Sequence, residues 1–181
     1  MRLFFHKLTH WEYWPMHLVY VPVYLLWLWY ALRSRTIFFF NAANPGIKNG
    51  GFFMESKMNI YALIPPQFYP KTQLIASGIS SAQVKEQINK LGVTYPLSAK
   101  PDIGLRGSAV QKIESESQLE QYHHRAGFDY LIQDLIPYEN EVGIFYVRFP
   151  GASNGRITGI VAKEFLTVTG DGTSTMEELL Q

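Results

Sequence analysis

Tyr95–Ile113, "YPLSAKPDIGLRGSAVQKI", has a β-prone stretch at each end and a turn-forming centre. Gly104 and Gly107 lie near its middle, and Lys100 stands just before the turn. Glycine-rich turns between short β-prone segments are typical of hairpins. The stretch therefore predicts two antiparallel strands joined by a tight tip.

The tip of this hairpin could also bind an anion. Glycines permit close approach of the backbone, successive amides in a turn form an anion-binding nest, and Lys100 would add a cation. The spacing is neither G-x-x-x-x-G-K-[ST], in which lysine follows the second glycine, nor G-x-G-x-x-G opening a helix. Taken alone, the pattern leaves an ordinary turn and a phosphate site both open.

Strand and helix signals flank the hairpin on both sides. Before it, "ESKMNIYALIP" predicts a short helix stopped by proline, "TQLIAS" predicts a strand, and Ser80 or Ser81 can cap a helix that ends at Gly92. After it, a capped helix over "SESQLEQYHHRAG" precedes three strand candidates, "DYLIQDLIP", "NEVGIFYVRF" and "GRITGIVAKEFL", and a helix that opens at "STMEELLQ". The elements mix without a βαβαβ rhythm, so the predicted fold class is α+β. We expect His123 and His124 to lie on a solvated helix face.

Composition excludes several classes of function. The chain has 181 residues, 47% of them apolar, and a net charge of +1, which gives no electrostatic case for nucleic acid as a partner. It has no cysteine, which excludes disulfides, thiolate metal sites and a cysteine nucleophile. Any metal would need carboxylate, amide or histidine ligands, and oxygen ligands suit Mg²⁺.

The N-terminal part differs from the rest. Tyr13–Leu32 carries no charged residue, and all four tryptophans lie in the first 40 residues. Twenty helical residues would rise about 30 Å, the thickness of a bilayer's hydrocarbon core, with aromatic side chains near both ends. We expect membrane association, with a single span and an interfacial helix both open and a buried helix as the plain alternative. The expected organisation is a membrane-associated segment over 1–35, a linker loop or active-site loop over 36–54, and a globular domain over 55–181.

Residues 55–181 resemble the ATP-grasp family. Lys100 stands on a strand before a glycine-rich loop, Lys57 lies 43 positions earlier at the start of a helix, "YLIQDLIP" falls where the family has its interlobe hinge, and Glu141 follows that hinge. "GDGTSTMEEL" is similar to D-alanine–D-alanine ligase-like and glutamate ligase or cyanophycin synthetase-like proteins.

The resemblance implies a set of ATP contacts. It gives the phosphates to Lys57, Lys100 and the loop residues Gly104, Arg106, Gly107 and Ser108. It gives adenine to the hinge, through Gln133, the carbonyl of Asp134 and the amide of Ile136, and the ribose to Glu141. Lys163 could reach the nucleotide or an acyl-phosphate, or be a surface cation. Arg148 could bind a substrate carboxylate or phosphate or face water, and Asp171, Thr173 and Ser174 could line a substrate pocket or serve only as helix caps.

The implied activity is ATP-dependent ligation of a carboxylate to an amine through an acyl-phosphate, on a small amino-acid or peptide-like substrate. No catalytic side chain is identified, and the expected location is the cytoplasm or the cytoplasmic face of a membrane. The sequence departs from the ATP-grasp pattern at two places. Gln133 occupies a position where the family often has glutamate, and the family's Mg²⁺ ligands would come after Leu180. We therefore expect an incomplete domain without metal ligands, and a non-catalytic nucleotide-binding or membrane-associated module is the alternative.

Overall fold

The computed structural model describes Phe5 and residues 8–104, 107–164 and 167–179, with the backbone alone described at Glu12. The chain divides into two compact units, Met1–Leu135 and Ile136–Gln181. Short 3-10 helices cover Trp11–Tyr13, Phe39–Ala42, Lys48–Gly51 and Pro66–Phe68. The α-helices are α1 Met16–Val19, α2 Val21–Ser34, α3 Lys57–Tyr61, α4 Ser81–Leu91, α5 Glu116–Arg125 and α6 Met176–Leu179. The strands are β1 Thr72–Ile75, β2 Leu97–Pro101, β3 Gln111–Ile113, β4 Tyr130–Asp134, β5 Glu141–Val147 and β6 Arg156–Lys163.

The aromatic N-terminal stretch is not the single twenty-residue helix that the sequence suggests. It divides at Tyr20 into α1 and the fourteen-residue α2. Pro22 explains the division, because proline has no N–H to donate and fits only the first turn of a helix. Among the described residues, no helix combines the length and the apolarity needed to cross a bilayer.

The segment after α2 is folded rather than extended. The Asn44 side-chain amide donates to the Gly50 carbonyl over 2.9 Å, and backbone hydrogen bonds run from Ile47 to Asn44 and from Gly50 to Ile47. Gly50 is buried at a φ of 63°, and a Cβ there would lie 2.5 Å from the Phe40 carbonyl oxygen. Glycine is therefore the residue that this turn can accommodate.

The first unit is built on a four-stranded sheet with the order β1-β4-β2-β3, in which all neighbours are antiparallel. Its core takes residues from all four strands and from α4 and α5: Ile75, Val84, Ile88, Leu97, Ala99, Ile113, Leu119, Tyr122, Tyr130 and Ile132. The caps of α4 are those the sequence predicts, since Ser80 and Gln83 form a capping box and Gly92 ends the helix in the left-handed conformation.

Strand alternation gives the sheet two unlike faces. Leu97, Ala99 and Ile132 project toward the helices, whereas Lys100 and Gln133 project from the opposite face. Thr72 pairs with Gln133 across β1 and β4, so it lies on that second face too. The predicted hairpin is confirmed, because β2 and β3 pair antiparallel on either side of the glycine-rich tip.

The second unit is a β5–β6 hairpin followed by α6. Glu141 pairs with Lys163, and the register shifts between Phe145 and Tyr146. None of the residues that the structure describes in this unit is buried. The two units together are a mixed α+β fold with small antiparallel sheets, as the sequence predicts.

Candidate functional site

Lys100 is the centre of a polar cluster on the face of the sheet opposite α4 and α5. Its Nζ donates to the Gln133 Oε1 over 2.7 Å and to the Tyr61 hydroxyl over 2.9 Å. The ammonium also lies 5.4 Å from the centre of the Tyr61 ring, within range of a cation–π interaction. Gln133 on β4 and Tyr61 on α3 therefore hold the lysine ammonium from two sides.

Gln133 connects this cluster to β1. It is only 6% exposed, and its Nε2 donates to Thr72 Oγ1 over 2.7 Å and to the Tyr61 hydroxyl over 3.3 Å. Since a neutral amide can donate and accept at once, Gln133 links Thr72, Tyr61 and Lys100 into one network. A glutamate at this position would form an ion pair with Lys100 and could not donate to Thr72.

This environment lowers the pKa of the Tyr61 hydroxyl. Burial raises the pKa of its hydroxyl, but hydrogen bonds from Lys100 and Gln133 and the positive charges of Lys100 and Lys57 outweigh it, so the pKa lies below the ordinary value. The ring also stacks on Tyr69, with centroids 4.8 Å apart. Tyr61 is thus fixed at its ring and at its oxygen.

Lys57 lies at the base of the hairpin tip. Its Nζ donates to the carbonyl oxygens of Pro101, Asp102 and Gly104, over 2.9, 3.0 and 3.4 Å. Asp102, 6% exposed, accepts from the Met58 amide through Oδ1 over 2.8 Å and from the Lys57 amide through its carbonyl oxygen. The start of α3 is therefore fastened to the end of β2, and this brings Lys57 to the strand that carries Lys100.

The two lysines differ from most others in their partners. Among the described residues, neither Lys57 nor Lys100 forms an ion pair; both donate to neutral oxygens. Other lysines have carboxylate partners: Lys85 with Glu116 and Glu120, Lys90 with Glu86, Lys112 with Glu114, and Lys163 with Glu141. Two lysines that form no ion pair with a described carboxylate therefore stand at the base of one glycine-rich turn.

The tip itself is exposed. Gly107 has a φ of 73° with open space where a Cβ would be, and Gly104 and Ser108 are also exposed. Arg106, a candidate phosphate ligand, lies outside the described residues. The exposed tip therefore carries two glycines and a serine, and Lys57 and Lys100 lie where the tip meets β2.

The hinge candidates divide between the two units. Asp134 ends β4, and its amide donates to the Lys71 carbonyl over 3.1 Å, whereas Ile136 opens the second unit and is exposed. Glu141 and Lys163 face each other across β5 and β6, with Lys163 Nζ 3.0 and 2.9 Å from the two carboxylate oxygens. Both are more than half exposed, so this pair contributes little to stability.

The substrate candidates are exposed. Arg148 follows β5, and Asp171 forms its own turn. Its Oδ1 accepts from the amides of Thr173 and Ser174, its Oδ2 accepts from the Ser174 hydroxyl, and these bonds hold the pKa of Asp171 well below its usual range. The next helix is capped instead by Thr175, whose hydroxyl oxygen accepts from the Glu178 amide while its own amide donates to the Glu178 carboxylate.

Sequence reasoning missed Tyr61, Thr72 and Asp102. Tyr61 stands four positions after Lys57 on α3, and that helical spacing places both on one side; the roles of Thr72 and Asp102 have no local signal. The prediction that His123 lies on a solvated helix face is wrong, because its side chain is buried. The His123 ring contacts the Tyr130 hydroxyl at 3.0 Å and the Ile79 carbonyl at 2.8 Å.

Leu119, Tyr122 and His123 share one face of α5, and this i, i+3, i+4 pattern carries His123 into the core.

Within the part of the chain that the structure describes, no group of three His, Asp or Glu side chains could hold a metal ion. No protein-family model matches the chain, and no curated protein matches it.

Proposed function

We propose that this chain binds ATP in the manner of an ATP-grasp domain, as the nucleotide-holding part of a carboxylate–amine ligase. The observation that carries the proposal is the pair of lysines without a carboxylate partner, Lys57 and Lys100, at the base of a glycine-rich turn. Phosphate oxygens are the anions that lysines and turn amides accommodate together.

In the proposed complex, Lys100 would contact the phosphate chain with its neutral partners still holding it. Tyr61 and Gln133 keep the ammonium oriented without cancelling its charge, so its attraction for an incoming anion is retained. Lys57 would act at the stem of the turn, through the carbonyls it already binds. Adenine and ribose are assigned to the hinge and to Glu141 on the strength of the sequence resemblance alone.

The proposed reaction has two steps. A substrate carboxylate oxygen attacks the γ-phosphorus of ATP and ADP leaves; the amine nitrogen then attacks the acyl carbon, loses a proton and expels phosphate, giving an amide. Positioning and charge neutralisation are the main catalytic devices of such phosphoryl transfers. The described residues do not fit a Mg²⁺ site, so no step here is assigned to a metal ion held by this chain.

A thermal-shift titration with ATP tests the binding. We expect ATP at a hundred times its Kd to stabilise the wild type by about 2.7 kcal/mol. Lys100→Met should abolish most of that gain. Lys112→Met is the matched control, because Lys112 stands on the neighbouring strand but already pairs with Glu114. The binding proposal fails if ATP does not stabilise the wild type, or if both variants respond alike.

Phosphate release separates the ligase from a non-catalytic module. The full chain is incubated with Mg-ATP, with and without candidate amino acids, and inorganic phosphate is followed over time. Phosphate release that depends on the amino acid supports the ligase. Binding without any release supports the module.

A second proposal concerns the N-terminal helix, which we infer lies on an anionic lipid surface at the cytoplasmic face of a membrane. Helix α2 exposes many large apolar side chains, and Arg33 and Arg35 lie at its end. The exposed set includes Leu25, Leu26, Leu28, Trp29, Tyr30 and Leu32.

Flotation with vesicles of phosphatidylglycerol and phosphatidylethanolamine tests this. We expect the wild type to float and the double variant Leu25→Lys/Leu32→Lys to stay in solution. Phe68→Lys changes an equally exposed apolar residue outside the helix and should still float. Equal flotation of all three proteins would refute the lipid contact.

A further inference from the structure

A cavity lies next to helix α3, lined by residues of that helix other than Lys57 and Tyr61. It has a volume of about 250 Å³, and its walls come from the folded turn before the 3-10 helix at Lys48 and from the chain around α3. Its main lining residues are Ile47, Lys48, Glu55, Asn59, Ile60 and Leu63. None of them is among the ATP or substrate contacts that the sequence predicts.

Glu55 is the unusual residue of this cavity. Its Oε2 is buried and has no hydrogen-bond partner among the described residues. Buried carboxylate oxygens are almost always paired, because removing one from water without a donor is costly. On a cavity wall, such an oxygen can accept a hydrogen bond from a ligand that enters the cavity.

Lys48 supplies the opposite charge on the same wall. Its ammonium forms no ion pair with Glu55, and within the described part of the chain it has no hydrogen-bonded partner. The turn that carries Lys48 is fixed by the Asn44–Gly50 hydrogen bond and by the tight packing of Gly50 on Phe40. The cavity is therefore lined by one acidic residue and by one exposed basic residue that form no ion pair with each other.

Part of the lining is apolar. Ile47, Ile60 and Leu63 contribute aliphatic side chains, and Gly46, Ser56 and Asn59 complete the lining. The volume suits a ligand smaller than a typical drug-sized molecule. A ligand that satisfies both charges and the apolar wall carries an ammonium group, a carboxylate and a short carbon side chain.

We propose that this cavity binds a small α-amino acid, with its ammonium donating to Glu55 and its carboxylate facing Lys48. This binding does not depend on the proposed ATP site. The use of the bound amino acid as the amine substrate of a ligase does rest on the proposed function.

Calorimetric titration of the full chain without nucleotide tests the proposal. The probes are glycine, L-alanine, D-alanine and L-glutamate, and we expect saturable binding of at least one. Alanine amide, which lacks the carboxylate, and N-acetylalanine, which lacks the cation, should each bind at least tenfold more weakly than alanine. Binding of none of the four amino acids overturns the proposal.

Two variants assign the contacts. Glu55→Gln removes the negative charge at nearly constant shape, and Lys48→Met removes the positive one; each should raise the Kd at least tenfold. Glu86→Gln and Lys90→Met remove one member each of an exposed ion pair on α4 and should leave the Kd unchanged. Unchanged affinity in Lys48→Met overturns the assigned orientation, even if Glu55→Gln does not fold.

Two comparisons separate this proposal from its rivals. Stabilisation by NaCl or KCl with no effect of amino acids would mean that Glu55 takes an inorganic cation, and it would overturn the proposal. Lys100→Met should lose ATP binding and keep amino-acid binding, while Glu55→Gln should do the reverse. The failure of one site is therefore distinguishable from the failure of the other.

Discussion

The hydroxyl of Tyr61 lies between two nitrogen donors, Lys100 and Gln133, and its lowered pKa makes stability depend on pH. In the unfolded chain the hydroxyl titrates at its ordinary pKa of 10.0, so between the folded and unfolded values the unfolded state binds more protons. The wild type should therefore gain stability relative to Tyr61→Phe as the pH rises from the folded pKa toward 10.

Urea unfolding at pH 7, 8, 9 and 10 measures this difference. Below the folded pKa both proteins should show the same pH slope, because Tyr61 is then protonated in both states. A difference that stays constant up to pH 10 would mean that Lys100 does not favour the phenolate. Lys100→Met in the same series should remove most of the effect.

Asp102 is the second residue whose role can be measured alone. Its buried Oδ1 accepts from the Met58 amide, so Asp102→Ala leaves that donor without a partner. Hydrogen bonds to charged groups contribute about 1.5–3 kcal/mol, and we expect a loss of that size in urea unfolding. Asp102→Asn keeps an oxygen in place and should lose less. Equal losses would mean that the hydrogen bond does not fasten α3.

At the scale of an element, the turn before α3 depends on Gly50. Gly50→Ala combines a left-handed backbone with a Cβ that would meet the Phe40 carbonyl oxygen at 2.5 Å. Backbone strain of this kind costs about 1–3 kcal/mol, and the clash adds to it. Gly78→Ala is the control, since Gly78 has a φ of 83° and open space around it. Urea unfolding should rank Gly50→Ala as the more damaging change.

The elements also show where sequence reasoning works and where it stops. Helix α4 is predicted because its signals, a cap at Ser80 or Ser81 and an end at Gly92, are local to it, and the structure selects Ser80. The order β1-β4-β2-β3 is not predicted, because the pairing of Thr72 with Gln133 joins strands 61 residues apart. Lys100 is found by its place before a glycine turn, but its partner Tyr61 lies 39 residues earlier in the chain, so no pattern local to Lys100 indicates their contact.

At the scale of the whole molecule, the two units differ in how much they bury. The first unit has a continuous core, whereas the β5–β6 hairpin has every strand residue at least partly exposed. Strands with few buried contacts open at low free energy. In hydrogen exchange followed by mass spectrometry, we expect amides of β5 and β6 to exchange well before those of β2 and β4. Equal protection would contradict this difference.

Helix α3 has five residues, and both proposed sites are built on it. Lys57 and Tyr61 point to the lysine cluster, and Asn59 and Ile60 line the cavity. Because the helix is so short, a shift of its backbone at one site would also move the residues of the other site. Thermodynamic reciprocity then requires that any factor by which an amino acid changes the affinity for nucleotide is also the factor by which nucleotide changes the affinity for the amino acid.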